Sequence, residues 1–226
     1  MPEPDTLAGR LAETRARITA AAAEAGRDPA ELTTIVVTKF HPAGLVRELH
    51  SLGVRDVGEN RHQEAQQKSE ELGELELTWH FVGQLQSNKA KQALGYAGVI
   101  HSVDRTSLVD ALTGEHDAVD VFLQLNLTDD PGRGGVDVAE LEPLAERVAA
   151  AEGLRLLGVM AVAPLGEEPR AAFARVRAAS ERVVAIEPAA RFISAGMSGD
   201  FRDAILEGAT LLRIGSAITG IRPDRP

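Results

Sequence analysis

Thr33-Thr34-Ile35-Val36-Val37-Thr38 is a short β-branched run flanked by helix-like sequence on both sides, and it is the first of eight such runs. The others fall at Val54–Gly58, Thr78–Gly83, Val99–Val103, Val121–Leu127, Leu154–Val162, Arg191–Ala195 and Leu211–Ile218. Stretches rich in Ala, Leu, Glu, Gln and Arg separate them, so the hydrophobic period switches repeatedly between strand and helix. Eight strands alternating with helices build either an open doubly wound sheet or a closed barrel. Eight parallel strands close with an interior just wide enough for side chains to fill, and no long linker divides the chain. The expectation is an α/β fold, a single (β/α)8 TIM barrel over residues 1–226.

Upstream of the first run, Asp5 to Gly26 reads as an additional amphipathic helix. Leu7, Leu11 and Ile18 share one face, Arg and Glu occupy the other, and Gly26 supplies the stop. No second domain is expected after the eighth run and its tail at Pro226. A closed barrel capped by this helix is expected to be a monomer.

The 226 residues carry 24 Lys and Arg against 34 Asp and Glu, a formal net charge of −10. A field of that sign repels nucleic acid and anionic membrane surfaces, so any anionic ligand has to be captured locally. With no cysteine, disulfides, thiol catalysis and Cys-based metal sites are excluded. No His-x-x-x-His or acidic triad of metal spacing occurs, so no metal is expected. The start of the chain lacks a basic segment followed by an apolar one, and no apolar run is long enough for a membrane span. The expected location is the cytoplasm.

In such a barrel, chemistry belongs at the carboxyl ends of the strands. Polar residues accumulate there: Lys39, Glu59-Asn60, His80 with Gln84, His101 with Asp104, Asn126, Ser194 to Ser198, and Arg213 to Ser216. Lys39 ends the first apolar run. A lysine in that place is either a solvated residue just beyond a strand or a partly desolvated amine able to attack an aldehyde. Strand context alone leaves both readings open.

The other end of the chain shifts the balance. Ser194-Ala195-Gly196-Met197-Ser198-Gly199-Asp200 leads from a strand into a helix over Phe201–Glu207, and Arg213-Ile214-Gly215-Ser216 ends the last strand. Backbone N–H groups and hydroxyls in the loops after strands seven and eight form a recurring phosphate site in barrels. The ordinary alternatives are a serine cap beside a turn and a strand-to-helix turn. Arg213 is either a surface arginine, a residue salt-bridged to a strand neighbour, or a donor to the ring nitrogen of a pyridine cofactor. In the last role it leaves that nitrogen unprotonated, because a guanidinium donates and does not give up its proton, and the ring is then a weaker electron sink.

The chain resembles the pyridoxal phosphate homeostasis protein family, which is similar in fold to the alanine racemase N-terminal domain. The likeness runs through Val36-Val37-Thr38-Lys39, Gly58-Glu59-Asn60 with Gln63-Glu64, and the segment Trp79 to Lys89. It continues through His101-Ser102-Val103-Asp104, Gly158-Val159-Met160, Ser194 to Ser198 and Arg213 to Ile218. The resemblance implies pyridoxal 5′-phosphate (PLP) as cofactor, held by Lys39 as a Schiff base. It further implies Asn60 near the ring, Met197 and Ser198 with Gly215 and Ser216 around the phosphate, and Arg213 at the pyridine nitrogen. Three positions depart from the pattern: Phe40-His41 where Thr-Lys is common, Arg61-His62 where a Tyr is common, and Ser216 for Thr.

The implied function is intracellular PLP homeostasis without dedicated turnover, with PLP-dependent apo-enzymes as candidate recipients. The alternative is a PLP-dependent amino-acid racemase of low activity. Racemases of this barrel type draw an opposing tyrosine from an added β domain, whereas the one tyrosine here is Tyr96, in a helical segment. A third reading is a Schiff-base aldolase acting on a sugar phosphate. His80 and His101 read as hydrogen-bonded structural residues, Ser87 as a helix cap, and Asp129–Gly135 as a flexible turn over the site.

Overall fold

A computed structural model describes residues 5–128 and 130–220. The strands are β1 (Thr33–Val37), β2 (Asp56–Glu59), β3 (Thr78–Phe81), β4 (Val99–Val103), β5 (Val119–Gln124), β6 (Leu154–Met160), β7 (Phe192–Ser194) and β8 (Leu211–Ile214). They form one closed parallel barrel in sequence order, sealed by β1 against β8 through the pairs Ile35 with Arg213 and Val36 with Ile214. The intervening helices are α1 (Leu7–Glu24), α2 (Ala43–Ser51), α3 (His62–Glu71), α4 (Ala90–Ala93), α5 (Thr106–Leu112), α6 (Leu141–Ala149), α7 (Pro169–Ile186), α8 (Phe201–Leu206) and α9 (Ser216–Thr219).

The period-2 pattern of a strand explains why these runs are buried on both sides. On β1, Ile35 points inward and packs with Val99, Phe122, Met160 and Leu211, while Val36 joins the larger core between strands and helices. The interior is not wholly apolar. His80, His101, Ser194 and Arg213 are buried beside that inner cluster, with the His101 ring stacked at 4.7 Å on Phe122.

The additional N-terminal helix is present as α1. Thr6 caps it by accepting from Gly9 N at 3.1 Å, and the chain leaves it through Gly26 at φ +67°, a conformation costly for residues with a Cβ. Its buried face is Leu7, Leu11, Thr14, Ile18 and Ala21. Arg10 Nε reaches across to Ile218 O at 2.9 Å, tying α1 to the end of the barrel sequence.

Several expected boundaries move. The eighth strand stops at Ile214, and Ser216-Ala217-Ile218 turns into α9 instead of continuing it. The fifth strand is displaced toward the N-terminus, to Val119–Gln124. Ser87 opens a 3-10 turn and receives Arg105 Nη2 at 3.3 Å, so it caps no helix. Tyr96 lies in a turn after α4. Asp129 of the anticipated flexible turn lies outside the described residues. Its neighbours are tied down, Gly132 N to Asp130 Oδ1 at 2.8 Å and Gly135 N to Asp104 Oδ2 at 3.1 Å. Among the described residues no helix is long and apolar enough to cross a membrane.

Candidate cofactor site

Lys39 follows β1 by two residues, and the backbone that delivers it is clamped. Thr38 is fully buried. Its N–H donates to Gly58 O at 2.9 Å, and its hydroxyl donates to Glu59 Oε1 at 2.7 Å. Lys68, from α3, donates to Thr38 O at 2.9 Å and to Glu59 Oε1 at 2.6 Å. Burial pushes the Glu59 carboxyl above the usual carboxylate range, against the pull of the Lys68 ammonium and the Thr38 hydroxyl. Its second oxygen, Oε2, is buried without a hydrogen-bond partner.

Immediately beyond Lys39 the chain is strained. Phe40 has φ +68°, the one positive φ at a non-glycine among the described residues, a conformation that costs about 1–3 kcal/mol. Glu64 Oε2 holds it by accepting Phe40 N at 3.2 Å. The same carboxylate binds Arg61 through Oε1 at 3.0 Å, and the Arg61 guanidinium lies 4.9 Å over the Phe40 ring. Two of the three departures noted in the sequence are therefore partners in space. The Lys39 ammonium lies 5.9 Å from the same ring.

Asn60 follows β2, and its Oδ1 is also buried without a hydrogen-bond partner. Its backbone can sit where it does because residue 83 has no side chain: a Cβ on Gly83 would fall 2.3 Å from Asn60 O. Beside it opens a cleft of about 440 Å³, lined among others by Arg61, Glu64, Gln84 and Lys89.

On the β7–β8 side the supports are mostly main chain. Ala195 N donates to Leu211 O at 3.1 Å and Arg213 N to Gly196 O at 2.9 Å, stitching the two loops together. Ser198 Oγ accepts Ala217 N at 3.2 Å, and Asp200 Oδ1 accepts Met197 N at 2.6 Å. Met197 is exposed, and Ser216 begins α9. A Cβ at Gly215 would meet nothing closer than Val37, at 3.9 Å. Open space therefore lies against the main chain there, beside the strand that carries Lys39. Arg213 is buried, donating to Ser194 Oγ at 2.6 Å and to Ala161 O at 2.8 Å. Burial pulls its guanidinium down to about 10, still far above neutrality. Both of these partners are uncharged, and among the described residues Arg213 forms no salt bridge.

All seven residues singled out in the sequence stand at or just beyond the carboxyl ends of β7, β8, β1 and β2, four consecutive strands of the closed ring. The structure adds Thr38, Glu59, Lys68 and Gly83 as their supports. Nothing in the sequence of α3 marks Lys68, which sits in a run of polar residues and reads as solvated.

A barrel of this topology with a lysine after β1 belongs to a recognisable class. The family model described as "Alanine racemase, N-terminal domain" matches residues 10–223. The alanine racemase of Corynebacterium glutamicum shares the fold at a TM-score of 0.71 with 15% identity, over 93% of this chain and 61% of that one. Much nearer is the pyridoxal phosphate homeostasis protein of Pseudomonas aeruginosa, 42% identical over 224 residues and 96% of each chain. PipY of Synechococcus elongatus PCC7942, solved with PLP bound, superposes at a TM-score of 0.84 with 36% identity, over 95% of this chain and all of that one. The chain belongs to the pyridoxal phosphate homeostasis protein family.

Proposed function

We propose that residues 1–226 act as one cytoplasmic, monomeric domain that binds PLP for homeostasis and does not turn substrate over as its task. Lys39 attaches the cofactor covalently and Asn60 lies beside the ring. Met197, Ser198, Gly215 and Ser216 surround the phosphate, and Arg213 serves the pyridine nitrogen. PLP-dependent apo-enzymes are the candidate recipients. The observation that carries this reading is the sharing of one mouth by Lys39, Arg213 and the Ser198–Gly215 loops on four adjacent strands.

The residues present fit the cofactor. Asn60 Oδ1 is a buried polar atom without a protein partner, and the main chain at Gly215 faces space that a side chain would fill. When bound, PLP supplies an aldehyde that captures amines and a ring that delocalises negative charge. The protein's side of that chemistry favours holding. Arg213 stays protonated, so it donates to the ring nitrogen and does not give that atom a proton. Tyr96, the sole tyrosine, shares a hydrogen bond with His62 Nδ1 at 3.3 Å. Burial and the Glu59 charge push its hydroxyl well above the ordinary range, which makes it a poor proton carrier.

The test is a visible spectrum of the PLP-loaded protein before and after borohydride, with mass spectrometry to locate the adduct. A yellow protein and a reduced adduct on Lys39 are expected. An adduct on another lysine overturns the assignment. Robust loss of chirality from D- or L-amino acids, abolished in Lys39→Ala, would replace the carrier reading with the racemase one.

A further inference from the structure

Behind Arg213, a file of buried polar side chains runs between the strands of the barrel interior. Arg213 Nη1 donates to Ser194 Oγ at 2.6 Å. Ser194 Oγ lies 2.8 Å from His101 Nδ1, His101 Nε2 lies 3.0 Å from His80 Nδ1, and His80 Nε2 lies 3.0 Å from Asp56 Oδ1. The five residues come from β8, β7, β4, β3 and β2. Ser194 and His101 are completely buried and His80 nearly so. The Asp56 side chain, by contrast, is 31% exposed, and it opens into a groove beneath α1 that Arg15 and Arg55 also line. Asp56 is the first residue of β2, whereas Arg213 stands near the carboxyl end of β8.

With both imidazoles neutral, the two ends dictate the direction of every link. Arginine only donates, and a carboxylate only accepts. Ser194 therefore accepts from Arg213; with both rings neutral, Asp56 takes the proton on His80 Nε2, His80 Nδ1 takes that on His101 Nε2, and Ser194 turns its own proton toward His101 Nδ1. One arrangement with two neutral imidazoles satisfies every polar atom along the file. Burial above all, with the charge of Arg213, holds His101 well below the usual imidazole range, in keeping with a neutral ring. The neighbours that Arg213 touches here are neutral, and Asp56 stands as the negative end of a chain whose links polarise one another.

We propose that Asp56 is a positioning residue for Arg213, acting through His80, His101 and Ser194 to fix how the guanidinium is presented to the barrel mouth. The file itself stands on geometry alone, whereas its consequence for a bound ring rests on the cofactor reading above. Such a device explains why a barrel interior spends four positions on polar side chains that an apolar filling would stabilise more simply.

The test reads the imidazoles directly. In histidine-15N-labelled protein without cofactor, long-range 1H–15N correlations are expected to show His80 and His101 neutral, each protonated on Nε2. Protonation of His101 on Nδ1 would overturn the proposal without any variant. Asp56→Ala removes the last acceptor, and the ring nitrogens of both His80 and His101 should shift. Asp56→Asn keeps a carbonyl in place and should restore the wild-type pattern. Unmoved His101 resonances in Asp56→Ala would refute the coupling. In PLP-loaded protein the visible absorption band is expected to shift in Asp56→Ala and to return in Asp56→Asn, and a band unchanged in both refutes the positioning role. A protein that never takes up colour, yet shows the predicted tautomers, defeats the cofactor reading and leaves the file intact.

Discussion

The two sides of the barrel mouth are built from different materials. Around β1 and β2 the support is ionic and buried: Lys68 and Glu59 face each other at 2.6 Å and clamp Thr38, one residue before Lys39. Around β7 and β8 it is mostly main chain, with loops stitched by N–H to C=O bonds, one serine hydroxyl and the Asp200 carboxylate that accepts Met197 N. Under the proposed assignment, the contrast follows from what each side would hold. A lysine that forms a bond has to be delivered at a fixed angle, and buried charge pairs with additional hydrogen bonds give such rigidity at a desolvation cost. A phosphate needs several weak donors in a shallow nest, where no single side chain dominates. Substitutions on the β1–β2 side should therefore be severe, and those on the β7–β8 side graded.

The largest effect is expected from Lys39→Ala. On the proposed reading it removes the attaching amine, so borohydride should fix no PLP on the variant, while the β7–β8 loops would be left to hold the cofactor without a bond. Persistence of a reduced adduct in that variant, read by mass spectrometry, would break the comparison at once.

Next comes the clamp. Lys68→Met leaves Glu59 buried without its cation, and breaking a buried pair in this way costs about 3–5 kcal/mol in urea unfolding. Adding Glu59→Gln should recover part of that loss, since an amide carries no charge to strand. The pH dependence has a definite sign. The folded-state pKa of Glu59 is raised, so the folded protein binds the proton more tightly than the unfolded chain. The stability contributed by protonated Glu59 is complete below the unfolded carboxylate value of about 4.3 and is lost as pH rises through the raised folded value. Stability of wild type relative to Glu59→Gln should fall across that window. A difference that rises instead would mean that Lys68 outweighs burial.

The barrel and the position of its mouth were legible in the sequence because they depend on periodicity and on polar residues just past apolar runs. Strand ends were less so. Ile214-Gly215-Ser216-Ala217-Ile218 is as apolar and small as a strand, and only the turn at Gly215 sends it into α9. Lys68 was hidden for a different reason. It lies in His62-Gln63-Glu64-Ala65-Gln66-Gln67-Lys68-Ser69, which looks solvated throughout, and its burial comes from Glu59 on a neighbouring strand. Phe40 and Arg61 look unrelated until the left-handed turn at Phe40 brings its ring beneath the guanidinium.

A steric substitution sharpens the same contrast. Gly83→Ala would place a methyl 2.3 Å from Asn60 O. The neighbour is backbone, so the chain itself has to move, and overpacking of this kind costs about 1–3 kcal/mol. Because Asn60 is displaced with it, the visible band of bound PLP should change as well. Loss of stability with an unchanged spectrum would show that Asn60 does not lie near the ring.

The smallest effect is expected at Ser198. Ser198→Ala takes one acceptor from Ala217 N and one hydroxyl from the loops proposed to hold the phosphate, leaving the rest of the main-chain nest in place. The loss of a single hydrogen bond is worth about 1 kcal/mol, which lowers the midpoint of thermal unfolding by about 2–4 °C in a chain of this size. Affinity for PLP should fall by less than about tenfold, since tenfold corresponds to about 1.4 kcal/mol. Equilibrium dialysis in the Lys39→Ala background isolates this loss from covalent attachment. If Ser198→Ala there abolishes binding outright, the β7–β8 side depends on one side chain after all, and the division between an ionic half and a main-chain half of the mouth does not hold.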